Sequence, residues 1–185
     1  MARCRLARAD ELEAVLELTH AAFAPTIALG LPSTALREDL AFVRAEAKRG
    51  GVFVREAGDG ALLGCGRFAL LEEAAARRDD LARATAGMAT GGRGGALAFA
   101  RLAVREEARG RLHGHAMVAW LEELARRLGC TEIRCAARSE RPDNRGFYLR
   151  LGYRITGVFD RHGVPGLRTE LAKSLAVPTD TGARP

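Results

Sequence analysis

The pattern of apolar and polar residues divides the first part of the chain into a strand, two helices and a hairpin. Apolar side chains recur at helical spacing after Asp10, with Glu13 as its capping-box partner, and again after Ser33 or Thr34. Pro25 ends the first helix and a Gly-Gly pair ends the second. An Asp-Gly turn between two apolar runs is a strong hairpin signal. In order, the predicted elements cover residues 3–8, 10–24, 33–49, 52–56 and 61–70.

The second part begins with a strand that is almost wholly apolar, over residues 97–104, which is typical of a central position in a sheet. The helix that follows, over 114–128, has one apolar stripe and one charged face. The apolar stripe consists of Met117, Trp120, Leu121, Leu124 and Leu128. The charged face, which is predicted to meet water, consists of Glu122, Glu123, Arg126 and Arg127. A strand, a short helix and a final hairpin follow, over residues 131–137, 144–151, 153–159 and 167–175.

This order, β-α-α-β-β-β-α-β-α-β-β, predicts an α/β protein with a mixed sheet, helices on both faces and one right-handed crossover. We expect a single domain over residues 1–175, followed by a disordered tail over 176–185. Residues 72–95, rich in Ala, Glu and Arg and then in Gly, are expected to form a flexible insertion. A passive surface loop is the favoured interpretation of this insertion, with a mobile lid as the alternative.

Composition narrows the functional classes. The chain has 185 residues, enough for one domain, and a net charge of +6, which suits an anionic cofactor or an acidic partner. The arginines are scattered and no row of aromatic residues accompanies them, so a nucleic-acid interface is disfavoured. No apolar run approaches a membrane span and no signal peptide is recognisable, so we expect a cytoplasmic protein that does not contact membranes.

The four cysteines, Cys4, Cys65, Cys130 and Cys135, form no C-x-x-C pair and have no histidine at zinc-finger spacing. Free, buried or half-buried thiols are therefore expected, and no metal site is predicted.

The turn between the strand at 97–104 and the next helix is the first candidate site. It reads Arg109-Gly110-Arg111-Leu112-His113-Gly114. The first amides of a helix lack internal partners, and the helix dipole adds positive charge there. A pyrophosphate could rest on these amides with arginines beside it.

Two further segments accompany this turn, namely Leu102-Ala103-Val104 before it and Asn144-Arg145-Gly146-Phe147-Tyr148-Leu149-Arg150-Leu151-Gly152-Tyr153 after it. Together the three segments resemble the GNAT (GCN5-related N-acetyltransferase) superfamily. The resemblance is best over residues 97–153 and weaker over 1–70 and 154–175. It implies the GNAT acyl-CoA N-acyltransferase fold, with acetyl-CoA as co-substrate.

The resemblance also implies roles for individual residues. Tyr148 is the expected catalytic acid that protonates the departing thiolate of coenzyme A. The residues expected to bind the cofactor are Leu102, Ala103 and Val104 through main-chain groups, then Arg109, Gly110, Arg111, Leu112, His113, Gly114, His115 and Asn144. Leu112 stands where the superfamily commonly has glycine. A second register, with Arg111, Gly114 and Ala116 in the pattern, fits literally but changes the distance from the preceding strand, so the first is preferred.

The function expected is acetyl transfer from acetyl-CoA to an amine by direct attack on the thioester. The acceptor cannot be read from the sequence, and it could be a small molecule or a protein. Candidates for the general base are Glu56, Glu106, Glu107, His113 and His115, with a water chain as an equal alternative. A weakly active or inactive CoA-binding module and an enzyme acting on charged tRNA are the alternatives. A homodimer is left open.

Overall fold

The structure, a computed structural model, describes residues 1–31, 33–49, 51–71, 85, 95–160 and 166–175. Its strands are β1 (Arg3–Leu6), β2 (Gly51–Glu56), β3 (Leu62–Leu71), β4 (Ala96–Val104), β5 (Glu132–Arg138), β6 (Arg154–Asp160) and β7 (Leu167–Ser174). Its helices are α1 (Leu12–Phe23), α2 (Pro25–Ala28), α3 (Leu40–Arg49), α4 (His113–Arg127) and α5 (Pro142–Arg150).

The strands form one sheet in the order β1-β2-β3-β4-β5-β7-β6. Every pair is antiparallel except β4 with β5, which are joined by the crossover helix α4. The predicted mixed α/β fold and its order of elements are therefore confirmed, with α2 as an additional short helix.

Two apolar cores cover the two faces of the sheet. On one face, the buried stripe of α4 packs against Phe53, Ile133, Cys135 and Leu171. On the other, α1 and α3 pack against Val52, Val54, Cys65 and Ala103. Because side chains alternate along a strand, neighbouring residues of β2 divide between the two cores. The core to which a strand residue belongs therefore shows which face of the sheet its side chain occupies.

Local details differ from the predictions at three places. Ser33 caps a short 3-10 turn, and a regular helix begins only at Leu40. In the turn before α1, the capping carboxylate belongs to Glu11 and not to Glu13. It accepts a hydrogen bond from the Arg8 backbone N–H at 2.8 Å. Glu122 is buried, because Lys173 Nζ donates to its carboxylate oxygens at 2.8 and 2.9 Å. The predicted insertion and tail lie outside the described residues, apart from Thr85 and Gly95.

An ion-pair network joins β1 and β2 to the turn before α1. Arg5 lies between two carboxylates, with Nη2 donating to Glu11 Oε1 and to Glu56 Oε1, both at 2.6 Å. Arg3 Nε also donates to Glu56, at 3.0 Å. The hydrogen bonds from Arg5, and then those from Arg3, lower the pKa of Glu56 from 4.5 to about 2.

We expect this network to make stability depend on acid pH. Because the pKa of Glu56 is lower in the folded protein than in the unfolded chain, its carboxylate stabilises the fold at pH values above about 4.5. This stabilisation is lost as the pH falls from 4.5 towards 2. Urea unfolding of the Glu56→Gln variant should therefore show a shallower decline in stability over this window than the parent protein. Glu13→Gln, at an exposed position of α1, is the control and should retain the parent slope. An unchanged slope in Glu56→Gln would contradict the account.

Candidate functional site

A cleft opens where the two parallel strands of the sheet separate. β4 and β5 pair only through Ala96–Ala98 with Glu132–Arg134. Beyond this point the described residues of β4 remain paired with β3 and no longer with β5. The edge of β4 that faces β5 therefore presents unpaired backbone groups, to which an extended amide-containing ligand can hydrogen-bond.

A β-bulge in β4 lies beside this cleft. Cys65 pairs with Ala103 and Arg67 with Ala100, so Arg101 and Leu102 stand opposite the single residue between them, Gly66. Arg101 has a backbone φ of 56°, a conformation that residues other than glycine rarely adopt. The sequence by itself shows no sign of this bulge, because a bulge depends on the pairing between strands that are distant in the chain.

The bulge is held by a buried cluster centred on Glu38. Arg67 Nη2 donates to the two carboxylate oxygens of Glu38 at 2.7 and 2.6 Å. Arg101 Nε donates to the same carboxylate at 2.8 Å, and its Nη2 donates to Thr34 Oγ1 at 2.7 Å. The Glu38 and Arg67 side chains are only 7% and 9% exposed, so these bonds operate with little solvent screening. The loop between α1 and α3 is thereby fixed against the bulge.

The cleft continues into a cavity of about 570 Å³. One side is formed by the end of α1 and the following segment, including Phe23 and Ser33. The floor is formed by residues 99–104 of β4 and 135–138 of β5, and the other side by the starts of α4 and α5. The cavity thus spans the sheet at the separation of β4 and β5.

The turn before α4 has the form expected of an anion site. The first hydrogen bond of the helix runs from the Ala116 amide to the Leu112 carbonyl oxygen, at 3.0 Å. The amides of His113, Gly114 and His115 therefore have no acceptor within the helix. Gly114 lines the cavity, and an added Cβ there would lie 3.4 Å from the Phe147 ring. These amides and the helix dipole favour a bound phosphate.

Leu112 takes the backbone conformation that glycine would take. Its φ is 59°, and its side chain is 66% exposed to solvent. The backbone path of a glycine-containing loop is therefore retained, at a cost of about 1–2 kcal/mol for a residue that carries a Cβ.

We expect Leu112→Gly to stabilise the protein. Relief of the strain outweighs the added flexibility of glycine, for a net gain of about 1 kcal/mol in the free energy of unfolding. Urea unfolding would measure this gain. Leu112→Ala is the matched control, since it shortens the side chain but keeps the strain, and should gain no stability. Equal stability of the two variants would contradict a strained loop.

Tyr148 lines the cavity from α5. Its ring packs against Phe147 with 5.0 Å between centroids, against Phe99 at 5.8 Å and against Tyr153 at 5.7 Å. Burial, and to a smaller extent the neighbouring Cys135, raises the pKa of Tyr148 above its ordinary value of 10. Its hydroxyl therefore keeps its proton at neutral pH and can act as an acid.

The structure brings part of the predicted set together. The predicted residues that line the cavity are Leu102, Ala103, Val104, Arg109, Gly114, Asn144 and Tyr148. Gly110, Arg111, Leu112, His113 and His115 lie in the turn and first helical turn, outside the cavity wall. Arg109 also donates through Nε to the Val104 carbonyl oxygen at 3.3 Å, which ties the turn to the end of β4.

Sequence reasoning missed several arginines of the cavity, namely Arg101, Arg138, Arg141 and Arg168. Only Arg101 carried a signal, since it interrupts an otherwise apolar strand. None of the predicted general bases, Glu56, Glu106, Glu107, His113 or His115, lines the cavity.

The cysteines are as expected. Cys65, Cys130 and Cys135 are buried and Cys4 is half-buried, all as free thiols. Burial raises the pKa of Cys65 and Cys130 to about 11, and it raises that of Cys135 as well. Across the described parts of the chain, no group of three or more His, Cys, Asp or Glu side chains is placed to hold a metal ion.

Comparison with protein families identifies the class of protein. Residues 12–153 match the profile of the acetyltransferase (GNAT) family. The chain therefore belongs to this family, which confirms the resemblance found in the sequence. The match covers both the helices that border the cavity and the strands that form its floor.

Solved structures of acetyltransferases share the fold. YncA, a presumed acetyltransferase from Salmonella typhimurium solved with its cofactor acetyl-CoA, is 19% identical with a TM-score of 0.63, covering 100% of this chain and 98% of that chain. Ard1 from Thermoplasma volcanium is 14% identical with a TM-score of 0.68, covering 95% and 98%. The spermidine/spermine N-acetyltransferase SpeG from Vibrio cholerae is 13% identical with a TM-score of 0.61, covering 95% of each chain.

At these identities the likeness establishes the fold and leaves the acceptor open. Comparison with curated proteins gave no match. Within the described residues, no helix is long and apolar enough to cross a membrane.

Proposed function

We propose that this protein is an N-acetyltransferase that transfers the acetyl group of acetyl-CoA directly to an amine. The observation that carries the proposal is the cleft between β4 and β5, which runs from the unpaired amides at the start of α4 to the protonated hydroxyl of Tyr148. Membership of the acetyltransferase family supports acetyl-CoA as the donor.

The chain's own groups supply the donor site. The amides at the start of α4, with Arg109 beside them, would hold the pyrophosphate. The unpaired backbone of Leu102, Ala103 and Val104 would hydrogen-bond the pantetheine arm, and Asn144 borders the same path from α5. Because backbone groups do most of this work, the site tolerates Leu112 in place of glycine.

The chemistry then requires one acid and one proton acceptor. The amine nitrogen attacks the thioester carbonyl carbon and forms a tetrahedral intermediate, and the carbon–sulfur bond breaks as the carbonyl reforms. Tyr148 Oη gives its proton to the departing thiolate. The proton released by the amine returns to the Tyr148 phenolate through water, which balances the reaction without a side-chain base.

A test of this proposal measures thiol release from acetyl-CoA by the purified protein with a panel of amines. We expect turnover with at least one amine class, together with the acetylated amine in equal amount by mass spectrometry. CoA binding without turnover of any amine would instead support the alternative, a CoA-binding module.

A further inference from the structure

The backbone of β4 changes its hydrogen-bonding phase at the bulge. Before the bulge, the Gly95 carbonyl oxygen accepts from the Thr131 N–H at 3.1 Å, so Gly95 addresses the β5 side. Alternate residues of a strand address the same neighbour, so residues 97, 99 and 101 are expected to address this side too. Only the first part of this edge is paired with β5, and Arg101 lies beyond it.

After the bulge, the other set of residues addresses the cleft. The Arg105 N–H donates to the Leu63 carbonyl oxygen at 2.9 Å, so Arg105 addresses β3. Counted back from Arg105, the residues that address the cleft are Val104 and Leu102. The bulge therefore places the backbone groups of Arg101 and Leu102 side by side on the open edge of β4. Two neighbouring N–H groups there suit one oxygen that develops negative charge.

The backbone conformation that produces this arrangement is strained. Among the described residues other than glycine, only Arg101 and Leu112 have a positive φ. Leu112 lies in a turn with an exposed side chain, whereas Arg101 lies inside a strand. A residue with a Cβ keeps such a conformation only where the surrounding structure imposes it. The side-chain contacts of Arg101 are therefore the place to look for the cause.

The side chain of Arg101 is held on the α1 side of the sheet. Its Nε donates to Glu38 Oε1 at 2.8 Å, and its Nη2 donates to Thr34 Oγ1 at 2.7 Å. The guanidinium carbon also lies 5.8 Å from the centre of the Phe23 ring, at the end of α1. Because the guanidinium is planar and its donors are rigidly arranged, these partners fix its orientation as well as its position.

The carboxylate that holds Arg101 is itself fixed from several directions. Arg67 Nη2 donates to both oxygens of Glu38, at 2.7 and 2.6 Å. Arg67 lies on β3 opposite Ala100, the residue immediately before Arg101. The Glu38 carbonyl oxygen also lies 3.0 Å from His20 Nε2 of α1. One buried carboxylate thus joins the two strands that flank the bulge to the helix beside the cavity.

We propose that Arg101 is a positioning residue for acetyl transfer. Held by Glu38 and Thr34, its side chain fixes the left-handed backbone that presents the N–H groups of Arg101 and Leu102 to the thioester carbonyl oxygen. The proposal rests on the proposed N-acetyltransferase function and names the residues that prepare its donor site. The carbonyl oxygen gains negative charge as the amine attacks, so N–H groups already aimed at it lower the barrier.

Two substitutions of Arg101 separate its backbone role from its side chain. Arg101→Ala and Arg101→Gly both remove the guanidinium, but only glycine adopts a positive φ without a steric cost. We expect Arg101→Ala to lower kcat about 10²-fold, as the loss of an oxyanion donor does. Arg101→Gly should retain at least about tenfold more activity than Arg101→Ala. Equal losses in the two variants, or no loss in Arg101→Ala, would overturn the proposal.

Binding and a distant arginine provide the controls. The dissociation constant of CoA, which lacks the acetyl group, should change less than about twofold in both variants, because the amides at the start of α4 are unaltered. This result also shows that the variants are folded. Arg134→Ala, on β5 but outside the cavity, should keep the parent kcat.

A double-mutant cycle tests the hold on the side chain. Thr34→Val removes the hydroxyl that accepts from Arg101 and keeps the branched shape of the side chain. It should lower kcat about threefold to tenfold in the parent protein, and by less than about twofold in Arg101→Gly, where no guanidinium remains to be held. The same loss in both backgrounds would contradict a role of Thr34 through Arg101.

A measurement without turnover separates this proposal from the transferase function. Infrared spectroscopy of bound acetyl-CoA, labelled with ¹³C at the thioester carbonyl, reports hydrogen bonds to that oxygen as a lower stretching frequency. We expect the lower frequency in the parent protein and in Arg101→Gly, and a value near that of free acetyl-CoA in Arg101→Ala. The free value in the parent protein would overturn the positioning role even if amines are acetylated. A lowered frequency without acetylation of any amine would contradict the transferase function and support the positioning of the carbonyl.

Discussion

Replacing Tyr148 by phenylalanine is expected to lower kcat by about 10²–10³-fold while leaving the dissociation constant of acetyl-CoA nearly unchanged. General acid catalysis typically contributes about 10²–10⁴-fold, and the substitution removes only the proton donor. The ring contacts with Phe99 and Phe147 are preserved, so binding and folding should be retained. Steady-state rates and calorimetric titration with acetyl-CoA would separate the two effects.

Tyr153→Phe is the matched control. Tyr153 is buried next to Tyr148, with 5.7 Å between the ring centroids, and it does not line the cavity. Its removal should change kcat by less than about threefold, far below the contribution of a general acid. Similar losses in the two variants would show that packing of the aromatic cluster, and not the Tyr148 proton, governs the rate.

The second large effect is expected from Glu38→Gln. This change leaves the buried Arg67 without its counter-charge and weakens the hold on the bulge at Arg101. Removing one partner of a buried ion pair costs about 3–5 kcal/mol, and the partial exposure of Arg101 places our expectation at about 3 kcal/mol in the free energy of unfolding. Urea unfolding monitored by circular dichroism would measure it.

An exposed pair of the same chemistry provides the comparison. Glu123 accepts from Arg127 Nε at 2.8 Å on the surface of α4, with side chains 49% and 34% exposed. Glu123→Gln should cost less than about 1 kcal/mol, as exposed pairs do. If Glu38→Gln costs no more than this, the bulge is held by its backbone pairing and not by the ion-pair cluster.

The sequence was sufficient to predict elements whose signals are local. The apolar stripe of α4 and the Asp-Gly turn between β2 and β3 depend on residues close in the chain. Glu122 was predicted wrongly to face water because its partner, Lys173, is distant in sequence. The single crossover of the mixed sheet was predicted from the helix between two apolar strands, because neighbouring parallel strands need such a connection.

The site was predicted in part for the same reason. Tyr148 and the turn before α4 belong to recognisable segments, so their positions could be anticipated. The bulge at Arg101 required the β3–β4 register, and the pairing of Arg138 with Arg168 required the β5–β7 register. Such registers are set by packing between distant segments, which local patterns do not specify.

Thermal unfolding with acetyl-CoA, CoA and ATP tests most directly the claim that the cleft between β4 and β5 binds the acetyl donor. A ligand at about a hundred times its dissociation constant adds about 2.7 kcal/mol of stability, which corresponds to a shift of roughly 5–10 °C in Tm for a chain of this size. The account predicts this shift with acetyl-CoA and CoA and little with ATP. No shift at millimolar acetyl-CoA, or an equal shift with ATP, would contradict it.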